Sequence, residues 1–337
     1  MKTGVLLINL GTPDSPSAKD VRKYLTQFLN DPLVIDINPI VRFLLVNLII
    51  VPFRTPKSAK LYKLIWTKEG SPLLVHGNKV KKMLQQEMGE KYLIELGMRY
   101  QNPSIESALE SLRKQQTQKI IVIPLYPQYA SSSTGSTTEE VMRVIKKWEV
   151  IPEVKFIDKF YDRSDFIDAF VETAKKYNLN NYDYFLFSYH NLPERHIYKD
   201  AAQHGSATCN LGDCCNSINK NNAYCYRAAC FETTRQIARK LNISKEKYET
   251  TFQSRLNYKW MKPFSDTVVA EKAKAGIKRM LVFSPAFVAD CLETIYEIGK
   301  EYKDIFIENG GQELQLAESL NDNPAWINVL KNMVLES

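Results

Sequence analysis

The sequence predicts an α/β protein built as two similar halves, each a parallel sheet flanked by helices. Three observations carry that prediction. Apolar runs of strand length alternate with segments of helical periodicity, and the second half repeats the order of the first. The 337 residues also exceed one ordinary core, so two domains are expected, over residues 1–150 and 151–337.

In the first half, residues 4–10, 92–98 and 119–124 read as strands. Residues 104–114 place Ile105, Ala108 and Leu112 on one helical face. In the second half, residues 182–188, 248–253 and 279–284 follow in the same order. The exits correspond as well. Gly11-Thr12-Pro13 matches the turn after His190, Arg99 matches Arg255, and Pro124 to Pro127 matches Ser284 to Phe287. Ligands of open parallel sheets bind at the carboxyl ends of the strands, so a site formed by these exits is expected in a cleft between the halves.

Composition narrows the function. Hydrophobic residues at 44% and charged residues at 25% suit a globular protein, and a net charge of +7 suits an anionic small molecule or an acidic lipid surface. No dense Lys/Arg block suggests a nucleic-acid arm. No Gly-x-Gly-x-x-Gly and no Gly-Lys-Ser/Thr loop is present, which removes the main support for a dehydrogenase or nucleotide-binding enzyme. Met1-Lys2-Thr3 leads straight into a strand without a signal-peptide pattern, so a cytoplasmic location is expected. The apolar run over residues 40–51 is bracketed by Pro39 and Pro52 and reads as too short for a span of about 20 residues. Followed by Arg54, Lys57, Lys60 and Lys63, it is either a buried helix or a shallow contact with an anionic membrane.

Several exits carry chemistry. His190 lies just past an apolar strand, where a neutral imidazole accepts a proton, binds a metal, or merely fixes the turn. A helix is expected to begin near Ala289 or Asp290, which puts Asp290, Glu293, Glu297 and Glu301 on one face at spacings of three, four and four. That stripe is either a solvated acidic face or a set of oxygen ligands and proton carriers. Ser136 and Glu139 have capping-box spacing, and the Ser/Thr-rich loop before them is either a plain cap or an anion cradle. Arg99 and Arg255 either hold substrate carboxylates or are plain surface arginines.

These residues fall within longer motifs. They are Leu7-Ile-Asn-Leu-Gly-Thr-Pro13, Val21-Arg-Lys-Tyr-Leu-Thr-Gln-Phe-Leu-Asn-Asp31, Ile65-Trp66 with Gly70-Ser-Pro-Leu73, and Gly97-Met-Arg-Tyr100. Further along come Pro127-Gln-Tyr-Ala-Ser-Ser-Ser-Thr-Gly-Ser136, Ser188-Tyr-His-Asn-Leu-Pro193, Gln253-Ser-Arg255 and Phe287-Val-Ala-Asp-Cys-Leu-Glu-Thr294. In this order the set resembles the ferrochelatase family over nearly the whole chain. The resemblance implies two Rossmann-like, chelatase-type domains around a porphyrin cleft, and insertion of Fe²⁺ into protoporphyrin IX to form protohaem. It places the family's invariant histidine on His190, its catalytic glutamate on Glu293, and the next acidic position on Glu297. His190 and Glu293 are expected to meet the incoming iron. Porphyrin contacts are expected at Leu10, Thr12, Arg99, Tyr129, Ser131, Ser132, Thr134 and Arg255. The region around residues 39–56 resembles the apolar lip that touches the membrane in some members, so peripheral contact with the inner face of the membrane is expected. The chain is expected to be a monomer or homodimer.

Cys209, Cys214, Cys215, Cys225 and Cys230 crowd one segment, a density that points to a ligand role. The resemblance extends to a subgroup with a cysteine-rich insert, here about residues 204–230, that holds a [2Fe–2S] cluster. Four of the five thiols would serve, the Cys214-Cys215 doublet suggesting that one of that pair is spare. A structural zinc is the alternative. Cys291 reads as a packed core thiol. Three other functions stay open: a cobalt chelatase for a corrin precursor, a tetrapyrrole carrier, and an iron–sulfur redox sensor.

Overall fold

The computed structural model describes residues 2–203 and 209–337. Residues 204–208 of the expected cysteine-rich insert lie outside the described residues. The chain forms two units. One comprises Met1–Tyr126, Ala130–Asp158 and Asp322–Ser337, and the other Pro127–Tyr129 and Lys159–Asn321.

The first unit runs β1 (Thr3–Gly11), α1 (Ala18–Leu29), α2 (Pro39–Leu44), a π-helical segment Leu45–Ile50, α3 (Val51–Ile65), α4 (Pro72–Met88), β2 (Tyr92–Tyr100), α5 (Ile105–Lys114), β3 (Lys119–Pro124), a π-helical turn Ser131–Gly135, α6 (Ser136–Ile145) and β4 (Glu153–Phe156). The second runs α7 (Ser164–Ala174), β5 (Tyr184–His190), α8 (Glu194–Gln203), α9 (Tyr226–Lys240), β6 (Tyr248–Gln253), α10 (Ser265–Lys274), β7 (Arg279–Phe283), a π-helix Glu293–Tyr302, α11 (Lys303–Glu308) and β8 (Glu313–Leu316). Each unit holds one four-stranded parallel sheet. The orders are β2-β1-β3-β4 and β6-β5-β7-β8, the same permutation twice. The duplication anticipated from the sequence is therefore topological.

Burial explains the strands. Val5, Leu6, Leu7 and Ile8 have no exposed surface, as expected for a parallel strand covered on both faces. Leu6 and Ile8 meet Ile105, Leu109 and Leu112 of α5 in one core cluster. Ser104 starts α5, its hydroxyl accepting from the amide of Ser107. Tyr184, Leu186, Met280 and Val282 repeat the arrangement against α10 and the π-helix. At the exit of β1, Gly11 has φ +116°, and a Cβ there would stand 2.0 Å from the Tyr100 carbonyl oxygen. Only glycine lets the two strand ends approach so closely.

The edge strands β4 and β8 were not anticipated, because four residues with partly exposed side chains give little apolar signal. Helix α12 (Pro324–Leu335) belongs to the first unit, where it packs on α4, so the division is not an even split near residue 150. Pro52 does not end the apolar helix. Residues Pro39–Ile65 form one helix of 27 residues, with Pro52 accommodated in the first turn after the π-helical segment. By length and composition alone this helix meets the dimensions of a membrane span. Ile40, Phe43, Leu48 and Phe53 are exposed on it, which removes the buried-helix alternative.

Candidate active site

In the second unit, the carboxyl edge of the sheet is organised by the last residues of β5 and β6. His190 is the final residue of β5, within the strand rather than past it, and lies in register with Gln253. Its Nδ1 is 2.7 Å from the carbonyl oxygen of Asn191. A carbonyl oxygen only accepts, so Nδ1 carries a proton, and in the neutral tautomer the lone pair of Nε2 is left for other work. The ring neighbours Phe287, with centroids 6.3 Å apart.

Gln253 is buried and uses its whole amide. Oε1 accepts from Ser188 Oγ at 2.7 Å, and Nε2 donates to the Glu293 carbonyl oxygen at 2.9 Å and to Glu297 Oε2 at 3.2 Å. Ser254 follows with φ +63°, a left-handed conformation unusual outside glycine. That turn aims its amide at Glu297 Oε1, 2.7 Å, and its hydroxyl at Oε2, 2.5 Å. Tyr302 adds a hydrogen bond to Oε1 at 2.7 Å. Burial and the adjoining Glu297 carboxylate push the Tyr302 phenol far above its ordinary range, so it remains a donor. Glu297 is thus a fixed carboxylate, and Glu293 presents itself from the first residue of the same π-helix.

The expected acidic stripe is corrected here. The helix is π, beginning at Glu293, and i→i+5 bonding makes a four-residue step fall short of a full turn. Asp290 precedes it and is engaged elsewhere, accepting from Thr294 Oγ1 at 3.0 Å and Asn321 Nδ2 at 2.7 Å. Glu301 is exposed.

The first unit brings Leu10, Thr12, Arg99, Ser131, Ser132 and Thr134 to its own carboxyl edge. Thr12 is buried and donates to Ser71 Oγ at 2.8 Å. Arg99 is committed to buried Asp31 at 2.6 Å and to the carbonyl and hydroxyl of Ser136. Tyr100 and Ser136 hydroxyls reach the same Asp31 oxygen at 2.9 and 2.6 Å. Removing one member of such a buried pair costs about 3–5 kcal/mol, so the Arg99 guanidinium fastens the framework before it can serve a ligand. Ser136 consequently caps nothing, because the helix begins a turn earlier in the π-helical segment. Ser131 and Ser132 are half-buried, whereas Thr134 is fully buried. In the second unit Tyr129 stacks edge-on against Tyr224, and Arg255 pairs with Asp266 at 2.6 Å over the ring of Phe264.

The cysteines gather in the second unit. Cys209, Cys214 and Cys225 line one small cavity with Asn222 and Tyr224. Cys214 and Cys215 have sulfurs 4.0 Å apart, and Arg227 Nη1 donates to Cys215 Sγ at 2.9 Å. A hydrogen bond between Cys215 and Cys225 pushes the first thiol up and draws the second down. Cys230 instead is fully buried on α9, and Cys291 is buried next to Glu293. Cys215 is as deeply buried as Cys230. Among the described residues no three His, Cys, Asp or Glu side chains are placed to hold a single metal ion.

Comparison with known proteins decides the family. The sequence profile described as Ferrochelatase matches residues 2–337. A ferrochelatase from Coxiella burnetii (strain CbuK_Q154) is 47% identical over all of this chain and 94% of its own. One from Legionella pneumophila (strain Lens) is 43% identical over all of this chain and 99% of its own. The chain belongs to the ferrochelatase family.

Solved structures agree on the fold of this ferrochelatase family member. The sirohydrochlorin chelatase SirB from Bacillus subtilis subspecies spizizenii, in complex with cobalt, superposes with TM-score 0.55 at 12% identity, covering all of this chain and 95% of its own. SirB from Bacillus subtilis with Fe³⁺ gives 0.53 at 12%, with the same coverage. Gln253 and Ser254, within the Gln253-Ser-Arg255 motif, and Tyr302 all bond Glu297, and neither residue type nor spacing marks such hydrogen-bond partners in the sequence.

Proposed function

We propose that the chain inserts Fe²⁺ into protoporphyrin IX to form protohaem, the terminal step of haem biosynthesis, with His190 Nε2 accepting the two inner pyrrole protons one after the other and passing each to solvent before the next. The full-length kinship with ferrochelatases makes it a lyase of porphyrin metallation. The observation that carries the role of His190 is its Nδ1 contact with the Asn191 carbonyl oxygen, which leaves Nε2 as a base. Two N–H protons leave the macrocycle as one divalent ion enters, so net charge is conserved in the ring. Glu293 receives the iron on its carboxylate oxygens, a donor suited to a hard divalent cation. Glu297, held by Gln253, Ser254 and Tyr302, is a stationary negative charge that favours approach of the cation without having to reorganise. Thr12, Ser131, Ser132 and Tyr129, with Leu10, serve the porphyrin rim. Arg99 and Arg255 act there only after sharing or leaving their carboxylate partners.

We propose that Cys209, Cys214, Cys215 and Cys225 would hold a [2Fe–2S] cluster; their gathering about one small cavity is what favours these four. Such a cluster supplies a one-electron redox centre. A zinc ion is the competing occupant.

The lip supports contact with an anionic membrane surface from the cytoplasmic side. Its exposed Ile40, Phe43, Leu48, Ile49 and Phe53 supply apolar area, and Arg54, Lys57, Lys60 and Lys63 supply charge. Those basic residues in the second half of the helix would be costly at the centre of a bilayer, which favours lying in the interface over crossing it.

Three outcomes are expected. Anaerobic Fe²⁺ insertion into protoporphyrin, followed by absorbance, falls about 10²–10⁴-fold in His190→Ala and Glu293→Gln. Undiminished turnover in either variant removes that residue from the mechanism. Protein prepared without oxygen shows cluster absorbance in wild type and Cys230→Ser and loses it in Cys225→Ser; stoichiometric zinc without visible absorbance assigns the site to zinc. The protein sediments with anionic but not zwitterionic vesicles, and Phe43→Ser with Phe53→Ser weakens this. Equal binding by wild type and that double variant would exclude the lip as the contact.

A further inference from the structure

One short stretch of α9 begins at a thiol and also touches the backbone of His190. Cys225 is the N-cap of α9, and the next residue, Tyr226, is a buried tyrosine whose Oη donates to the His190 carbonyl oxygen at 2.8 Å. The peptide joining His190 to Asn191 gives its N–H to the Gln253 carbonyl on the β6 side. In a trans peptide the C=O points the opposite way, here toward β7. But β7 ends at Phe283, opposite Phe187, three residues before His190. Beyond that point its chain folds into a turn, with the Phe287 amide on the Ser284 carbonyl. The tyrosine hydroxyl takes the place of the missing strand amide. It thereby fixes the peptide plane that sets the direction of the His190 side chain, and of the Asn191 carbonyl that orients the ring.

Arg227 continues the same turn of α9. Its Nη1 donates to Cys215 Sγ at 2.9 Å, and Nη2 donates to the Lys262 carbonyl at 3.3 Å. The segment around Lys262 is itself laced to the His190 turn. Asn191 Nδ2 donates to the Met261 carbonyl at 2.9 Å, and the Met261 amide donates to the Leu192 carbonyl at 3.1 Å. Successive residues of one helical turn thus touch a thiol, the histidine backbone and the loop that braces it. Displacement of Cys225 or Cys215 must move Tyr226 and Arg227, because a helical turn bonded from Ala229 to the Cys225 carbonyl has little slack.

We propose that Tyr226 is a positioning residue for His190, and that changes at the Cys215–Cys225 thiols reach the histidine through it. The inference rests on His190 being the proton acceptor. A structural tyrosine of the same strand and helix provides the control: Tyr189 is equally buried and bonds Thr234 Oγ1 of α9 at 2.9 Å, but does not hold the His190 carbonyl.

The test labels the four histidines with ¹⁵N, assigns the His190 ring signals by their loss in His190→Ala, and pairs spectra with steady-state insertion kinetics. Tyr226→Phe is expected to shift the His190 signals and to lower kcat about 10–100-fold with little change in porphyrin KM. Tyr189→Phe is expected to change neither. Alkylation of the thiols with iodoacetamide is expected to shift the His190 signals in wild type and much less in Tyr226→Phe. Unmoved His190 signals in Tyr226→Phe, or equal loss of turnover in both tyrosine variants, would overturn the positioning role. Signals indifferent to alkylation in wild type would overturn the link to the thiols. Full turnover in His190→Ala would instead refute the acceptor role itself, while leaving the spectroscopic test of Tyr226 intact.

Discussion

Gln253 is the constraint on which the rest of the candidate site depends. Its backbone keeps β6 in register with His190, and its buried amide bonds Ser188 of β5 on one side and Glu293 and Glu297 of the π-helix on the other. Inside a protein each such bond is stronger than in water, and each unsatisfied group correspondingly costly. One residue therefore ties the His190 strand end, the Glu293 backbone and the Glu297 carboxylate into a common frame. Metallation of a porphyrin requires that: proton removal and metal delivery act on the same small set of nitrogens, and misplacement of either group is paid in rate.

The π-helix is the second determinant. Its wider register brings Glu293 and Glu297 to Gln253 and Ser254 while turning Glu301 outward, and it lets Tyr302 reach back to Glu297. Such helices are rare and concentrate at functional sites, where their poorer packing is compensated by specific contacts. Here the compensation is visible in the hydrogen bonds that converge on Glu297. The strained φ of Ser254 belongs to the same account, since it directs both the amide and the hydroxyl to one carboxylate.

Much of this was legible in the sequence. The strands at the core of both sheets are long apolar runs, and their duplicated order anticipated two sheets of identical permutation. The positions of His190 at the end of β5 and of Glu293 at the start of the helix after β7 were legible from the same runs. What escaped was whatever depends on a partner distant in sequence. Arg99 reads as a free cation at a strand end, but a buried Asp31, 68 positions away, already holds it. The acidic stripe assumed α-helical spacing, and nothing in the residues themselves announces i→i+5 bonding. The short edge strands β4 and β8 carry too few apolar residues to signal themselves.

The most direct test of this account is anaerobic Fe²⁺ insertion by Gln253→Ala, measured together with porphyrin binding by quenching of porphyrin fluorescence. If the glutamine frames the base and the carboxylates, kcat falls by at least about tenfold while the porphyrin Kd stays near that of wild type. Turnover equal to wild type would contradict the central claim, because His190 and the two glutamates would then be held in place without it.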